Sequence, residues 1–399
     1  MNRKLLSFVL CFLLLFAASC GKPSSQKVAA PPEHKDSLDS PFLFAQKLAS
    51  AAAEEKNFLI SPLSVKLSLA MAANGAEGET QAEILSALGV ENLEEFNQYA
   101  KELGAYLTAF EDAAVTPANS IWLNKSEMPD AGFLPAYKGT IEEFYNGSIE
   151  TVKRNNAVRK INRWVKLQTK GRISELLLEP DFAAALVNAF YFKADWKNPF
   201  TSQEVHKRQF QNYDGSKVSS DFIVKTAHYA YAENEAVQII VLPYRAENLK
   251  MYLLLPKKET RASLDMVSDD IFEQMKDTEV RLSFPKWSTE YSADLAGSLQ
   301  QLGIQTAFMP GNACFGNLFS SAEGLFIESV LHNTFINVTE QGTEAASSTA
   351  ALLTKALSDY PAATSFTADR AFVYFIREGA TGEILFCGEI LQLQPRPLV

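Results

Sequence analysis

The run Leu186-Val187-Asn188-Ala189-Phe190-Tyr191-Phe192 carries one strongly polar side chain in seven residues. Its aromatic and β-branched content reads as a strand. The lack of period-2 alternation means that both faces of that strand are covered. Such a strand lies inside a sheet with further layers on either side, so the chain must build a large core around it. Asn188, in mid-run, must then find hydrogen-bond partners within that core. At 399 residues the chain is long enough for this.

The rest of the sequence supplies both kinds of element. Ser40-Pro41 and Ser61-Pro62 each set a capping side chain before a proline at the first helical position. Phe44, Leu48, Ala51 and Ala52 then form one stripe, and the mostly apolar residues 63–73 form a buried helix ending at Gly75. Thr80-Gln81-Ala82-Glu83 has the pattern of a capping box, with Gly89 as the stop. Val158, Ile161, Val165 and Gln168 share a helix face that ends at Gly171. Strands are expected at 58–60, 118–123, 237–244, 249–256 and 280–287, and a closing hairpin joins 372–376 to 384–388. Helices and strands are mixed without steady βαβ alternation, so the fold class is α+β.

Residues 1–19 read as a signal peptide: Arg3 and Lys4, then an apolar stretch over 5–16 that is too short to span a bilayer. Ala17-Ala18-Ser19-Cys20-Gly21 resembles a bacterial lipoprotein cleavage site, with Cys20 as the lipidated residue. Ala17 stands where Leu is usual, and an ordinary secretory signal cut nearby is the alternative. Residues 20–38 read as a flexible tether and 39–399 as one domain. The chain is expected to be exported, either secreted or held to the envelope or cell surface through its N-terminal lipid alone.

The net charge is −10, near −12 without residues 1–19, which argues against nonspecific nucleic-acid binding. Arg159, Lys160, Arg163 and Lys166 recur at helical spacing and read as a solvated face. Cys314 and Cys387 are too few and too far apart for a disulfide scaffold and read as buried free thiols. The chain has four His and lacks an HExxH, a Walker A loop, a strand-linked GxGxxG, a metal-spaced set and a G-x-S-x-G elbow. No catalytic residue, metal or cofactor is assigned, and an enzyme is the least supported class.

Residues 340–353 are of another kind: Glu340-Gln341-Gly342-Thr343-Glu344-Ala345-Ala346-Ser347-Ser348-Thr349-Ala350-Ala351-Leu352-Leu353. Glu344 is the one charged residue from Gly342 onward. As a strand, Thr343, Ala345, Ser347, Thr349, Ala351 and Leu353 would share an uncharged face of low bulk, and Glu344 would point the other way, to water. Such a segment can enter an existing sheet without burying charge. By propensity it is also a fair surface helix.

Glu-x-Gly-Thr-Glu-Ala-Ala before small residues resembles the hinge of the reactive-centre loop in inhibitory serpins. The likeness spans about residues 40–391. It includes Ser61-Pro62-Leu63-Ser64-Val65, Ala118-Asn119-Ser120-Ile121-Trp122, and Asn162-Arg163-Trp164-Val165 with Thr169-Lys170-Gly171-Arg172-Ile173. Val187-Asn188-Ala189-Phe190-Tyr191-Phe192-Lys193, followed by Trp196 and Pro199-Phe200, is its most specific part. Leu242-Pro243-Tyr244, Phe284-Pro285-Lys286, Ala368-Asp369-Arg370 and Thr381-Gly382-Glu383-Ile384-Leu385-Phe386 come next, in family order. Asn333, Ala371 and Cys314 depart from the pattern, and Ser347 and Ser348 replace hinge alanines.

The resemblance implies the serpin fold, with three β-sheets, about eight to nine helices and an exposed reactive-centre loop over about 340–365. It implies a monomeric suicide-substrate inhibitor whose loop baits a protease, is cut, and inserts into the central sheet before the acyl-enzyme is hydrolysed. By family spacing the reactive bond is Ala356–Leu357, with Lys355–Ala356 as the alternative. Ala before the cut suits elastase-like or subtilisin-like proteases, Lys suits trypsin-like ones, and Leu353 leaves room for a papain-like cysteine protease. The hinge would be Glu340, Gly342, Thr343, Glu344, Ala345, Ala346, Ser347, Ser348 and Thr349. Ser61, Ser64, Asn188 and His332 would gate the sheet, and Trp196 and Lys286, with Glu340, would hold its top. Twelve inserted residues span about 40 Å and contribute on the order of 10 kcal/mol in hydrogen bonds. The alternative within the family is a non-inhibitory member acting as a binding or structural protein.

Overall fold

The computed structural model describes residues 30–33, 38–173, 182–258, 260–321, 324–344 and 364–393. Elements are numbered in chain order. Three sheets are formed among these residues. The six-stranded sheet runs β11 (Trp287–Asp294), β13 (Ile327–Val338), β14 (Gly342–Thr343), β5 (Ala184–Asp195), β2 (Ala113–Asn124), β4 (Ser148–Val152). The nine-stranded sheet runs β1 (Phe58–Ile60), β17 (Ile384–Ile390), β16 (Phe372–Glu378), β9 (Leu249–Pro256), β8 (Val237–Pro243), β7 (Lys217–Glu233), β10 (Lys276–Pro285), β15 (Thr364–Thr367), with β6 (Val205–Gln211) also on β7. A two-stranded pair joins β3 (Gly132–Phe133) to β12 (Phe319–Ser320). The α-helices are α1 (Pro41–Ala52), α2 (Pro62–Gly75), α3 (Gly78–Leu88), α4 (Leu93–Thr108), α5 (Pro135–Tyr145), α6 (Ala157–Gln168) and α7 (Ala296–Gln301), with four short 3-10 helices besides.

The apolar run is explained by its place at the middle of the six-stranded sheet. Ala184, Leu186, Phe190 and Phe192 of β5 face the main core. Ala185, Val187 and Ala189 face a second cluster, built with Trp122 and with Ala157, Ile161 and Val165 of α6. The outer face of α6 carries Arg159, Lys160, Arg163 and Lys166 in water. Helix α2 is buried along nearly its whole length because it lies between the sheets, touching β2, β5 and β17. Its start is held by the Ser61 side chain, which accepts from the Ser64 N–H at 3.2 Å.

Two local readings are corrected. Thr80 does not cap its own helix: α3 begins at Gly78, and the buried Thr80 hydroxyl accepts from Thr306 Oγ1 and the Cys314 N–H, both at 3.1 Å. Glu83 likewise accepts from the Gln305 and Thr306 N–H groups at 2.8 and 2.7 Å. The box-like pattern therefore serves a distant segment, because tertiary partners outbid the local cap. Cys314 is exposed rather than buried, whereas Cys387 is a buried free thiol whose pKa burial pushes up. Gly89 does end α3, in the left-handed region at φ +64°.

Candidate functional site: the hinge and the sheet it enters

Strands β5 and β13 are parallel partners from Ala184 and Ile327 up to Phe190 and Thr334. Beyond that point they part, and β14 stands between their upper ends. Thr343 pairs with Val338 on one side and with Ala194 on the other, and Gly342 pairs with Asp195. The glycine is dictated by close approach, since a Cβ on residue 342 would lie 2.3 Å from the Ala194 carbonyl oxygen. Thr343 is 1% exposed, and its hydroxyl lies 2.6 Å from the Tyr244 phenol oxygen.

Glu344 does not point to water. Its backbone turns into the left-handed region at φ +55°, which ends β14, while its N–H still donates to the Asn337 carbonyl at 2.6 Å. The side chain is buried, and its carboxylate takes a hydrogen bond from Arg172 Nε at 2.6 Å. Burial holds the Glu344 carboxyl above its usual range, against the pull of Arg172. The alternation expected of a strand fails here because an ion pair, rather than solvent, receives the charge.

The sheet top is a compact set of contacts. Lys286 Nζ lies 2.8 Å from Glu340 Oε2. Trp196 donates its indole N–H to the Thr339 carbonyl and its backbone N–H to the Gln341 carbonyl, each at 2.9 Å. Its ring stacks on Tyr244 with centroids 4.5 Å apart. The Phe200 N–H donates to the Glu340 carbonyl at 2.9 Å.

Beneath the centre of the sheet, His332 Nε2 accepts from the Ser61 N–H at 3.0 Å. Ser64 Oγ donates to Asn119 Oδ1 at 3.1 Å, and Thr334 Oγ1 donates to the Leu59 carbonyl at 2.6 Å. The imidazole is completely buried, which lowers its pKa to about 3, so it is neutral with its proton on Nδ1. Three of the four candidate gate residues are thus joined through Ser61. The fourth, Asn188, is opposite both His332 and Asn119 in register, yet neither polar atom of its side chain has a hydrogen-bond partner among the described residues.

A model of the family described as serpin (serine protease inhibitor) matches residues 39–393. The chain belongs to the serpin family. An uncharacterized serpin-like protein of Thermococcus kodakarensis is 32% identical over 357 residues, 85% of this serpin and 82% of the relative. The human leukocyte elastase inhibitor is 30% identical over 371 residues, 86% of this serpin and 96% of the inhibitor. The crystal structure of the thermophilic serpin Tengpin in the native state superposes with a TM-score of 0.82 at 30% identity, covering 92% and 97% of the two chains. Tengpin in the latent state gives 0.77 at 29% identity, covering 92% and 100%.

Sequence reasoning missed Asn119, Tyr244 and Arg172 as members of the serpin's site. Asn119 is detectable as an amide beside Ser120 ahead of the apolar Ile121-Trp122-Leu123. Nothing in the local sequence announces that Arg172 would meet Glu344, 172 residues away. Ala345, Ala346, Ser347, Ser348, Thr349, Lys355, Ala356, Leu357 and Cys20 lie outside the described residues.

Proposed function

We propose that this serpin is a suicide-substrate inhibitor of serine proteases, with papain-like cysteine proteases as a further target class. The observation that carries the reading is β14: the hinge residues Gly342 and Thr343 lie between β13 and β5, in line with the place that the remaining small residues would take. Family membership and the likeness to the leukocyte elastase inhibitor support it. The target's nucleophile attacks the carbonyl of Ala356, or of Lys355, and expels the amine of the next residue as an acyl-enzyme forms. The hinge then extends from Thr343 through residues 345–353, carrying the tethered protease along the sheet before water can release it. The serpin contributes no catalytic group to this sequence. It contributes a bait bond and a strand whose insertion is downhill.

The test mixes the purified chain with a pancreatic elastase, a trypsin, a subtilisin and a papain, followed by denaturing gels and intact mass. A denaturant-resistant complex, with a released C-terminal peptide starting at Leu357 or Ala356, is the expected result. Clean cleavage without a complex in all four would instead assign the binding-protein role. We further propose export by residues 1–19 with lipid on Cys20, which metabolic palmitate labelling of the wild type but not of Cys20→Ala would report.

A further inference from the structure

The nine-stranded sheet has an opening that the inhibitory reading does not use. β7 pairs with β10 continuously from Phe222 to Tyr231. With β8 it pairs only at Tyr231↔Ile240, Ala232↔Ile239 and Glu233↔Gln238. Past Tyr231 the two strands part, and a cleft of about 420 Å³ lies between them. Lys225, Ala227 and Tyr229 of β7 line it, with His228 and Ala230 at its border. Ala227 is the small residue in that row, and a longer side chain there would fill the space. Trp196, Phe200, Tyr252 and Phe272 supply aromatic walls.

The polar groups around the cleft are unequal. Lys225 is committed, 3.1 Å from Glu204 and 5.4 Å above the Phe200 ring. His228 Nδ1 lies 3.0 Å from Asp277. Lys250 is exposed and makes no ion pair among the described residues. The Tyr229 hydroxyl is buried and has no hydrogen-bond partner among the described residues. Leaving a buried hydroxyl unpaired is unfavourable, so its persistence in a walled cleft points to an absent acceptor.

We propose that this cleft binds a flat aromatic acid of two or three rings, seated against the ring edges of Phe200, Tyr252 and Phe272, with the buried Trp196 behind them. One acceptor atom takes the Tyr229 proton, and the acidic group lies toward Lys250. The volume suits a ligand of that size. Aromatic walls favour offset or edge-on rings, and the Lys250 ammonium selects an anion over a neutral ring system.

The test uses the full chain under native conditions with 8-anilinonaphthalene-1-sulfonate, followed by fluorescence, and 2-naphthoate as competitor, followed by calorimetry. The expected result is one saturable site at which naphthoate displaces the dye. Ala227→Leu should weaken binding at least tenfold with an unchanged melting temperature, and Tyr229→Phe about fivefold. Lys250→Glu, an exposed change, should weaken binding and remove its salt dependence. Absence of saturable binding by the wild type overturns the proposal. So does unchanged affinity in Ala227→Leu, or, should that variant not fold, unchanged affinity in both Tyr229→Phe and Lys250→Glu.

Discussion

A left-handed backbone at a non-glycine residue costs on the order of 1–3 kcal/mol, and Glu344 adopts one at φ +55° while its carboxylate is buried against Arg172. The hinge is therefore held by side-chain contacts that its own sequence does not favour locally. Just before that turn the demands are steric. Gly342→Val would drive a branched side chain into the Ala194 carbonyl, and expelling β14 should destabilise the chain by about 2 kcal/mol, read as a lower midpoint in denaturant melts. Thr343→Arg removes the Tyr244 contact and brings a long charge to the core face. On the proposed function it should convert inhibition into turnover, with covalent complex on gels falling at least tenfold. Complex formation at the wild-type rate would place the hinge elsewhere. Residue size shows that Gly342 and Thr343 can enter a strand but leaves a surface helix open, and pairing with Val338, Ala194 and Asp195 decides it. The turn at Glu344 was not legible, because it is decided by a partner from another segment.

The six-stranded sheet shows the same division at the scale of elements. β5 announces itself through an apolar run without alternation, and α2 through a helix with no polar side, since both are buried all round. Thr80 and Glu83 mislead because their partners at 305, 306 and 314 arrive by tertiary folding. The buried polar links beneath β5 and β13 have a measurable signature. His332 has a folded pKa of about 3 against an ordinary 6.5. Below pH 6.5 the unfolded chain therefore binds a proton that the folded chain refuses. The stability this residue contributes is complete above that pH and is lost progressively as pH falls toward about 3. His332→Gln keeps an acceptor for the Ser61 N–H without the titration. Its stability should decline less steeply between pH 6.5 and 4, by about one proton's worth of slope. Equal slopes in the two proteins would mean that the native imidazole is already charged.

For the whole molecule, the proposed function requires the uncut chain to be the less stable of two folded forms. Cutting the loop near Ala356 should then let the freed segment join the sheet. A gain on the order of 10 kcal/mol in a domain of this size corresponds to a melting temperature about 10–20 °C higher. Calorimetry on intact and nicked chains reads this directly, and an unchanged midpoint would favour a non-inhibitory role. The α+β class and the closing hairpin were legible in the sequence, because burial writes itself into long apolar stretches, whereas the strand order of the sheets was not. Nor was the cleft beside β7, since it arises from two strands parting rather than from any motif. The docked pair in β14 bears on accuracy as well as on energy. A strand sliding between two others can settle in more than one alignment, and a slip of one residue exchanges its faces. With Gly342 fitted against Ala194 and Thr343 on Tyr244 before any cut is made, the reading frame of the incoming strand is already chosen. On the proposed function, insertion is then elongation from a seed, and an error in phase would first have to undo the seed.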